Sequence, residues 1–128
     1  MALPHPPFKP CPCGSGRSYQ ACCRPAHTGE RPAPTAEALM RSRYAAFALQ
    51  DEPYLRRTWH PDTCPADLDL ADGTRYLGLT VHGAGEDWVN FTARLGLPGG
   101  GRTKLRERSR FVRLDGAWVY LDGDVQDG

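Results

Sequence analysis

The sequence predicts an α+β fold with a small metal-binding segment in front of it, and three observations carry that reading. Four of the five cysteines crowd into residues 11–23, "CPCGSGRSYQACC". Helical periodicity is confined to residues 36–60, and the remainder of the chain reads with a period of two between glycine-rich turns. At 128 residues, 40% apolar and 24% charged, the chain suits one compact domain with at most a small appendage.

The cysteines come first. Their spacing is Cys11-x-Cys13, then, after eight residues, the adjacent pair Cys22–Cys23. Three readings compete: a closed four-ligand Zn²⁺ site, two disulfides, or unrelated buried thiols. Such tight spacing disfavours disulfides, and so does a reducing compartment. Four thiols in so short a stretch disfavour chance, which leaves zinc in front. Gly14 and Gly16 let the chain fold back at positive φ and bring backbone N–H groups to the sulfurs. Lys9, Arg17 and Arg24 offset the negative charge of a four-thiolate centre. His27 and His5 are the alternatives for one thiolate. A segment this short buries no core of its own, so the ion would supply its folding energy, ~10–16 kcal/mol of apparent binding in small zinc peptides. Four protein ligands leave no open position for water, which points away from catalysis at the ion.

This pattern, C-x-C-G-S-G-x-x-Y-x-x-C-C, resembles the SEC-C motif found at the C-terminus of the bacterial protein-translocation ATPase. The resemblance implies zinc on Cys11, Cys13, Cys22 and Cys23, and contact with an export chaperone or ribosomes. The motif usually ends in histidine, so Cys23 is where this chain departs.

"RPAHTGERPAP", residues 24–34, reads as a linker, with the knuckle proper ending near residue 27. Thr35 offers an N-cap to a helix over 36–50, whose Ala36, Leu39, Met40, Arg43 or Tyr44, and Phe47 recur at helical spacing. Pro53 suits the first turn of a second, short helix closed by Pro61. Four strands come next, in "RYLGLTVHG", "DWVNFTARLGL", "TKLRERSRFVRL" and "AWVYLDGDV", the last two joined by an Asp-Gly hairpin turn. In the second, Val89, Phe91, Ala93 and Leu95 alternate with polar residues and Trp88. In the third, Lys104, Arg106, Arg108 and Arg110 share one face. Helices first and an antiparallel meander after them place one sheet face under the helices.

"LMRSRYAAFALQDEPYLRRTWHPDT" with "ERSRF" and "WVYLDGD" resembles the YchJ family of small bacterial proteins. The resemblance covers residues 35–123. It implies a cone shaped like nuclear transport factor 2 and the ketosteroid isomerases, helices packed on a curved sheet around a cavity. Residues 124–128 would be a tail. Many family members carry a second SEC-C motif at the C-terminus; residues 24–128 contain no second one.

Within such a cone the candidate pocket residues are Arg43, Tyr44, Trp59, His60, Arg108, Tyr120 and Asp122. One reading sets Arg43, His60, Arg108 and Asp122 at the mouth to bind an anionic small molecule. The other makes them structural bridges between helix and sheet. His60 at a helix end has a structural explanation in the helix dipole. Cys64 and His60 would form a nucleophile–base pair, but nothing supplies an orienting third group. The basic strand either tracks phosphates or protects a sheet edge, and it lacks interleaved aromatics for base stacking.

The net charge is only +1, without the global basicity of a dedicated nucleic-acid binder. No run of eighteen apolar residues could cross a membrane, and "MALPHPPFKP" lacks the apolar stretch of a signal peptide, so a cytoplasmic location is expected. The leading expectation is a zinc-binding, non-enzymatic interaction protein. Its knuckle would dock on a protein or ribosome-like partner through Lys9, Arg17 and Arg24. The alternatives are an isomerase- or hydrolase-like enzyme with His60 or Asp122 as base, and a weak nucleic-acid binder.

Overall fold

The structure, a computed structural model, describes residues 3–126. A 3-10 turn (Tyr19–Ala21) and three helices, α1 (Arg24–Thr28), α2 (Ala36–Ala48) and α3 (Glu52–Arg57), precede four strands, β1 (Arg75–Ala84), β2 (Trp88–Gly96), β3 (Arg102–Leu114) and β4 (Ala117–Val125). The strands form one antiparallel sheet in the order β1-β2-β3-β4. The α+β architecture read from the sequence is therefore present.

Helix α2 starts where expected, the Thr35 hydroxyl accepting the Ala38 N–H at 3.0 Å. It stops at Ala48, two residues short of expectation, because Leu49 caps it and Gln50 turns to a φ of 57°. It is buried on more than one side: Leu39 and Met40 join the main core, Ala46 packs with Tyr54 and Leu55 of α3, and Ser42 and Arg43 are buried too. A helix between a sheet and other elements needs no clean apolar stripe. In α3, the Asp51 carboxylate accepts the Tyr54 N–H and Pro53 occupies the first turn.

Along β2, Val89, Phe91 and Ala93 are buried, as the alternation predicts. Asp115 and Gly116 close the β3–β4 hairpin at φ 52° and 84°, the left-handed pair that a tight turn between twisted strands requires. Register shifts between Tyr76 and Gly78, between Val81 and Gly83, and at Arg110–Phe111 bend the sheet around α2. Strand β4 continues through Val125, and the Gln126 N–H donates to the Arg106 carbonyl at 2.8 Å, so residues 124–126 extend the sheet instead of forming a tail. The last two residues of that expected tail lie outside the described residues.

Strand β3 is central, which overturns edge protection as the reason for its cations. Arg110 instead donates to Asp122 and Asp124 on β4, each at 2.7 Å, and the Arg108 guanidinium lies 4.3 Å from the Trp88 ring centroid.

The front of the stretch read as a linker is helix α1, closed by Gly29 at φ 84°. This places the cysteine-rich segment against the body: Cys11, Cys13, Tyr19 and Cys23 belong to the same buried cluster as Leu39, Met40 and Val89.

Candidate metal centre and the adjoining cavity

A tight reversal builds the thiol cluster. The Cys11 N–H donates to the Arg17 carbonyl at 2.9 Å and the Tyr19 N–H to the Lys9 carbonyl at 2.8 Å, which folds residues 9–19 back on themselves. Gly14 and Gly16 make the bend at φ 77° and 88°, and an added Cβ at either would meet nothing closer than 3.9 Å, so glycine is needed there for backbone conformation and not for space. Ser18 then caps the 3-10 turn that delivers Cys22 and Cys23.

The four cysteine Sγ atoms all lie within 4.8 Å of one another. Cys13 Sγ is 3.6 Å from Cys22 Sγ, which is 3.8 Å from Cys23 Sγ. Cys11, Cys13 and Cys23 are buried and Cys22 is half-buried, with Ser15 Oγ 3.2 Å from its sulfur. No disulfide links them. Protonated thiols in such a huddle share protons unevenly. Hydrogen bonds from Cys11 and Cys23 hold the Cys13 thiol far below its ordinary value. Donating to Cys13 pushes Cys11 up to about 12, and Cys23 is driven upward by its bonds to Cys11 and Cys13. A metal ion held there would resolve this crowding by replacing the protons. The arrangement suits one ion held by four thiolates.

His27 and His5 are not part of that set. His27 bridges knuckle and body: its Nδ1 accepts from the Tyr19 hydroxyl at 2.6 Å, and its Nε2–H donates to the Ser42 carbonyl at 2.7 Å. Burial pushes the Tyr19 hydroxyl up to about 12, so it stays protonated, and burial lowers His27, so the ring stays neutral. His5 Nε2 instead meets the Pro10 carbonyl at 2.9 Å. Arg41 donates to the Cys13 carbonyl at 3.3 Å, and Arg57 to the Ala26 and His27 carbonyls at 3.2 and 3.1 Å. These bonds tie the knuckle to α2 and α3.

Lys9, Arg17 and Arg24 are all exposed on the knuckle. Arg17 bonds the Ala21 carbonyl and lines a groove of about 640 Å³ between knuckle and α2, which Arg31 and Arg41 also line. Lys9 and Arg24 lie outside that groove's lining.

Between α2 and the concave sheet face lies a second cavity of about 280 Å³. Of the seven expected pocket residues, Arg43, Tyr44, Trp59 and Tyr120 line it. His60, Arg108 and Asp122 do not. The three misplaced residues have physical reasons. Helix α3 ends at Arg57, so His60 lies beyond its last turn; its N–H donates to the Tyr120 carbonyl at 2.8 Å, and its Nδ1 accepts the Asp62 N–H at 3.0 Å. Arg108 and Asp122 are occupied on the opposite sheet face, by Trp88 and Arg110. Cys64 pairs with Arg56 and the Pro65 carbonyl instead of the His60 ring.

Glu107 and Ser109 are the cavity's unexpected polar residues. Strict alternation along β3 is the signal for them, since positions 105, 107, 109 and 111 must oppose the cationic face. The apolar wall comes from Met40, Phe47, Tyr76, Phe91, Leu105 and Phe111.

Residues 35–123 match the family described as YchJ, middle NTF2-like domain, and residues 9–25 match the SEC-C motif. A UPF0225 protein of Deinococcus radiodurans is 70% identical over 117 residues, covering 91% of this chain and 90% of that protein. A UPF0225 protein of Streptomyces coelicolor is 51% identical, covering 94% and 99%. The solution structure of a SEC-C motif containing protein from Rhodopseudomonas palustris is similar at a TM-score of 0.81 and 38% identity, covering 91% of this chain and 98% of that one. A crystal structure of a SEC-C motif containing protein from Psychrobacter arcticus gives 0.69 and 27%, covering 95% and 85%. The chain thus belongs to the UPF0225 family, with a SEC-C motif ahead of the YchJ middle NTF2-like domain.

Proposed function

We propose that this protein is a non-enzymatic interaction module. Its knuckle holds a structural Zn²⁺ on Cys11, Cys13, Cys22 and Cys23 and presents cationic side chains to an acidic segment of a protein partner. The observation that carries the metal is the sulfur spacing. Four thiolates ~2.3 Å from one zinc in a tetrahedron stand about 3.8 Å apart; here Cys13–Cys22 and Cys22–Cys23 are 3.6 and 3.8 Å apart, and all four sulfurs lie within 4.8 Å of one another. Four protein ligands saturate the ion, so its work is to hold shape.

The shape it holds is the arginine-lined groove against α2. Arg17 and Arg31 are exposed there, while Arg41 is tied to Glu37 at 3.1 Å. Lys9 and Arg24 extend the positive surface beyond it. A reducing cytoplasm, where thiols persist, is the location this reading calls for; no helix among the described residues is long and apolar enough to cross a membrane.

The catalytic alternative loses its candidate bases, since neither His60 nor Asp122 lines the cavity. The nucleic-acid alternative loses cations on β3 to other work, since Arg110 is paired with two aspartates and Arg108 covers Trp88.

Crosslinking in bacterial extract tests the reading. Arg17→Glu combined with Arg31→Glu should abolish a protein crosslink that Glu107→Gln leaves intact, with zinc content unchanged in both. A crosslink that survives the double charge reversal rules the groove out as the docking surface.

A further inference from the structure

The cavity under α2 contains two charges of opposite sign that are not paired with each other. Arg43 is only 5% exposed. Its Nη1 donates to the Leu55 carbonyl at 2.9 Å and to Thr58 Oγ1 at 2.8 Å. Its Nε and Nη2 have no hydrogen-bond partner, and no carboxylate lies within 4.0 Å of it, among the described residues. What flanks the guanidinium is aromatic: the Trp59 and Tyr120 ring centroids lie 4.6 and 4.9 Å away. A buried cation without an anion is costly in a folded protein. The Nε–Nη2 edge is also the one that grips a carboxylate through two parallel bonds.

Glu107 is the other charge in the wall. The Ser109 and Tyr120 hydroxyls both donate to its Oε2, which leaves Oε1 without a partner among the described residues. The Trp59 indole N–H and the Tyr44 hydroxyl, in the same wall, are unpartnered as well. The remaining surface is aromatic and apolar, with Tyr44 and Tyr76 edge to face at 5.6 Å. The volume, about 280 Å³, lies just below the usual range of ligand pockets, roughly 300–1,000 Å³, and suits a small ligand.

We propose that this cavity binds a small aromatic carboxylic acid bearing a hydroxyl or amino group, with its carboxylate on the Nε–Nη2 edge of Arg43 and its donor on Glu107 Oε1. An apolar ring fills the space between Met40, Phe47, Phe91 and Phe111. The single guanidinium in an apolar wall matches a carboxylate; a phosphate would ask for more donors. The site does not depend on the knuckle's partner, and it assigns Arg43 and Glu107 to recognition, not catalysis.

The test is an NMR titration of the zinc-loaded full-length protein with three probes, following the Trp59 indole and Arg43 Nε–H signals. Para-hydroxybenzoate carries both ends, benzoate lacks the donor, and para-hydroxybenzamide lacks the charge. Para-hydroxybenzoate should saturate both signals, and the amide should bind at least about tenfold more weakly, as expected for loss of a charged hydrogen-bonded pair. Benzoate should bind more weakly than para-hydroxybenzoate in the wild type and more tightly in Glu107→Gln, where the neighbouring negative charge is gone. Arg43→Met should lose the preference for acid over amide. Equal binding of acid and amide, an unchanged benzoate affinity in Glu107→Gln, or the failure of every probe to move either signal overturns the proposal. The probe series on the wild type and on Glu107→Gln decides it even if Arg43→Met does not fold.

Discussion

The knuckle and the helix–sheet body share one buried cluster, yet they reach stability by opposite means. In the knuckle, the sulfurs face one another: four converge within 4.8 Å, and the apolar residues buried beside them belong mostly to the body, among them Leu39, Met40 and Val89. In the body, apolar side chains face one another, and the polar groups of the cavity are left over, with Arg43, Trp59 and Tyr44 incompletely partnered. Burial roughly in proportion to apolar area stabilises the second region; in the proposed function, coordination stabilises the first. A short chain segment can thus be rigid without a core, while a well-packed domain can retain a hole with unsatisfied chemistry in its wall.

Substituting a sulfur ligand is the largest way to break this comparison. Cys13, with no exposed surface, is the most severe choice. Cys13→Ser should remove the metal and with it most of the ~10–16 kcal/mol that coordination supplies to such knuckles. Hydrogen exchange should show protection lost from Cys11 to Thr28. Because Cys13 packs in the same cluster as Leu39 and Met40, the Tm of the body should fall as well. A body that melts unchanged would mean the two regions are independent.

The seam between the regions gives the next effect. His27→Ala leaves the Tyr19 hydroxyl and the Ser42 carbonyl without their partner, at a cost of about 1–3 kcal/mol, with metal retained. The seam should also respond to pH. Burial holds the folded His27 below its ordinary value of about 6.5, so the unfolded chain binds the proton more readily. The contribution is then complete above about pH 6.5 and lost as pH falls below it. Amide exchange in helix α1 should quicken over that range in the wild type. In His27→Gln, whose amide can keep both hydrogen bonds, that acid-dependent quickening should be absent.

The smallest effect belongs to the cavity. Arg43→Met replaces a buried, unpaired cation, itself pushed down to about 10 by burial, with an apolar side chain of similar length. Such exchanges are often neutral or stabilising, so thermal unfolding should shift by no more than about 1 kcal/mol downward, against the large loss at Cys13. A loss as large as that of Cys13→Ser would make Arg43 a structural bridge and erase the contrast.

Much of this organisation was legible in the residues. The cysteine spacing with Gly14 and Gly16, the Thr35 cap, the β2 alternation and the Asp115–Gly116 turn are local signals, and local chemistry decides them. The rest depends on tertiary placement. The proline-rich stretch after Cys23 reads as a linker because Pro25 and Gly29 punctuate it, yet proline is welcome in a first helical turn and glycine at a helix end, so a short helix forms. The cavity was half legible. Arg43 and Tyr44 follow from helical phase, but His60, Arg108 and Asp122 were assigned on residue type. Alternation along β3 turns Arg108 away and brings Glu107 in. The interior position of β3 follows from the meander itself, whose short turns pair each strand with the next, and reading its cations as edge protection runs against that order.

The central claim is that one metal ion, held by Cys11, Cys13, Cys22 and Cys23, makes the front of the molecule rigid. Elemental analysis of the purified protein, paired with thiol titration in the native state, tests it most directly. One zinc per chain is expected, with Cys64 the only thiol reacting until a chelator or denaturant is added. A metal-free protein whose clustered thiols react at once, while the fold stays intact, would contradict it.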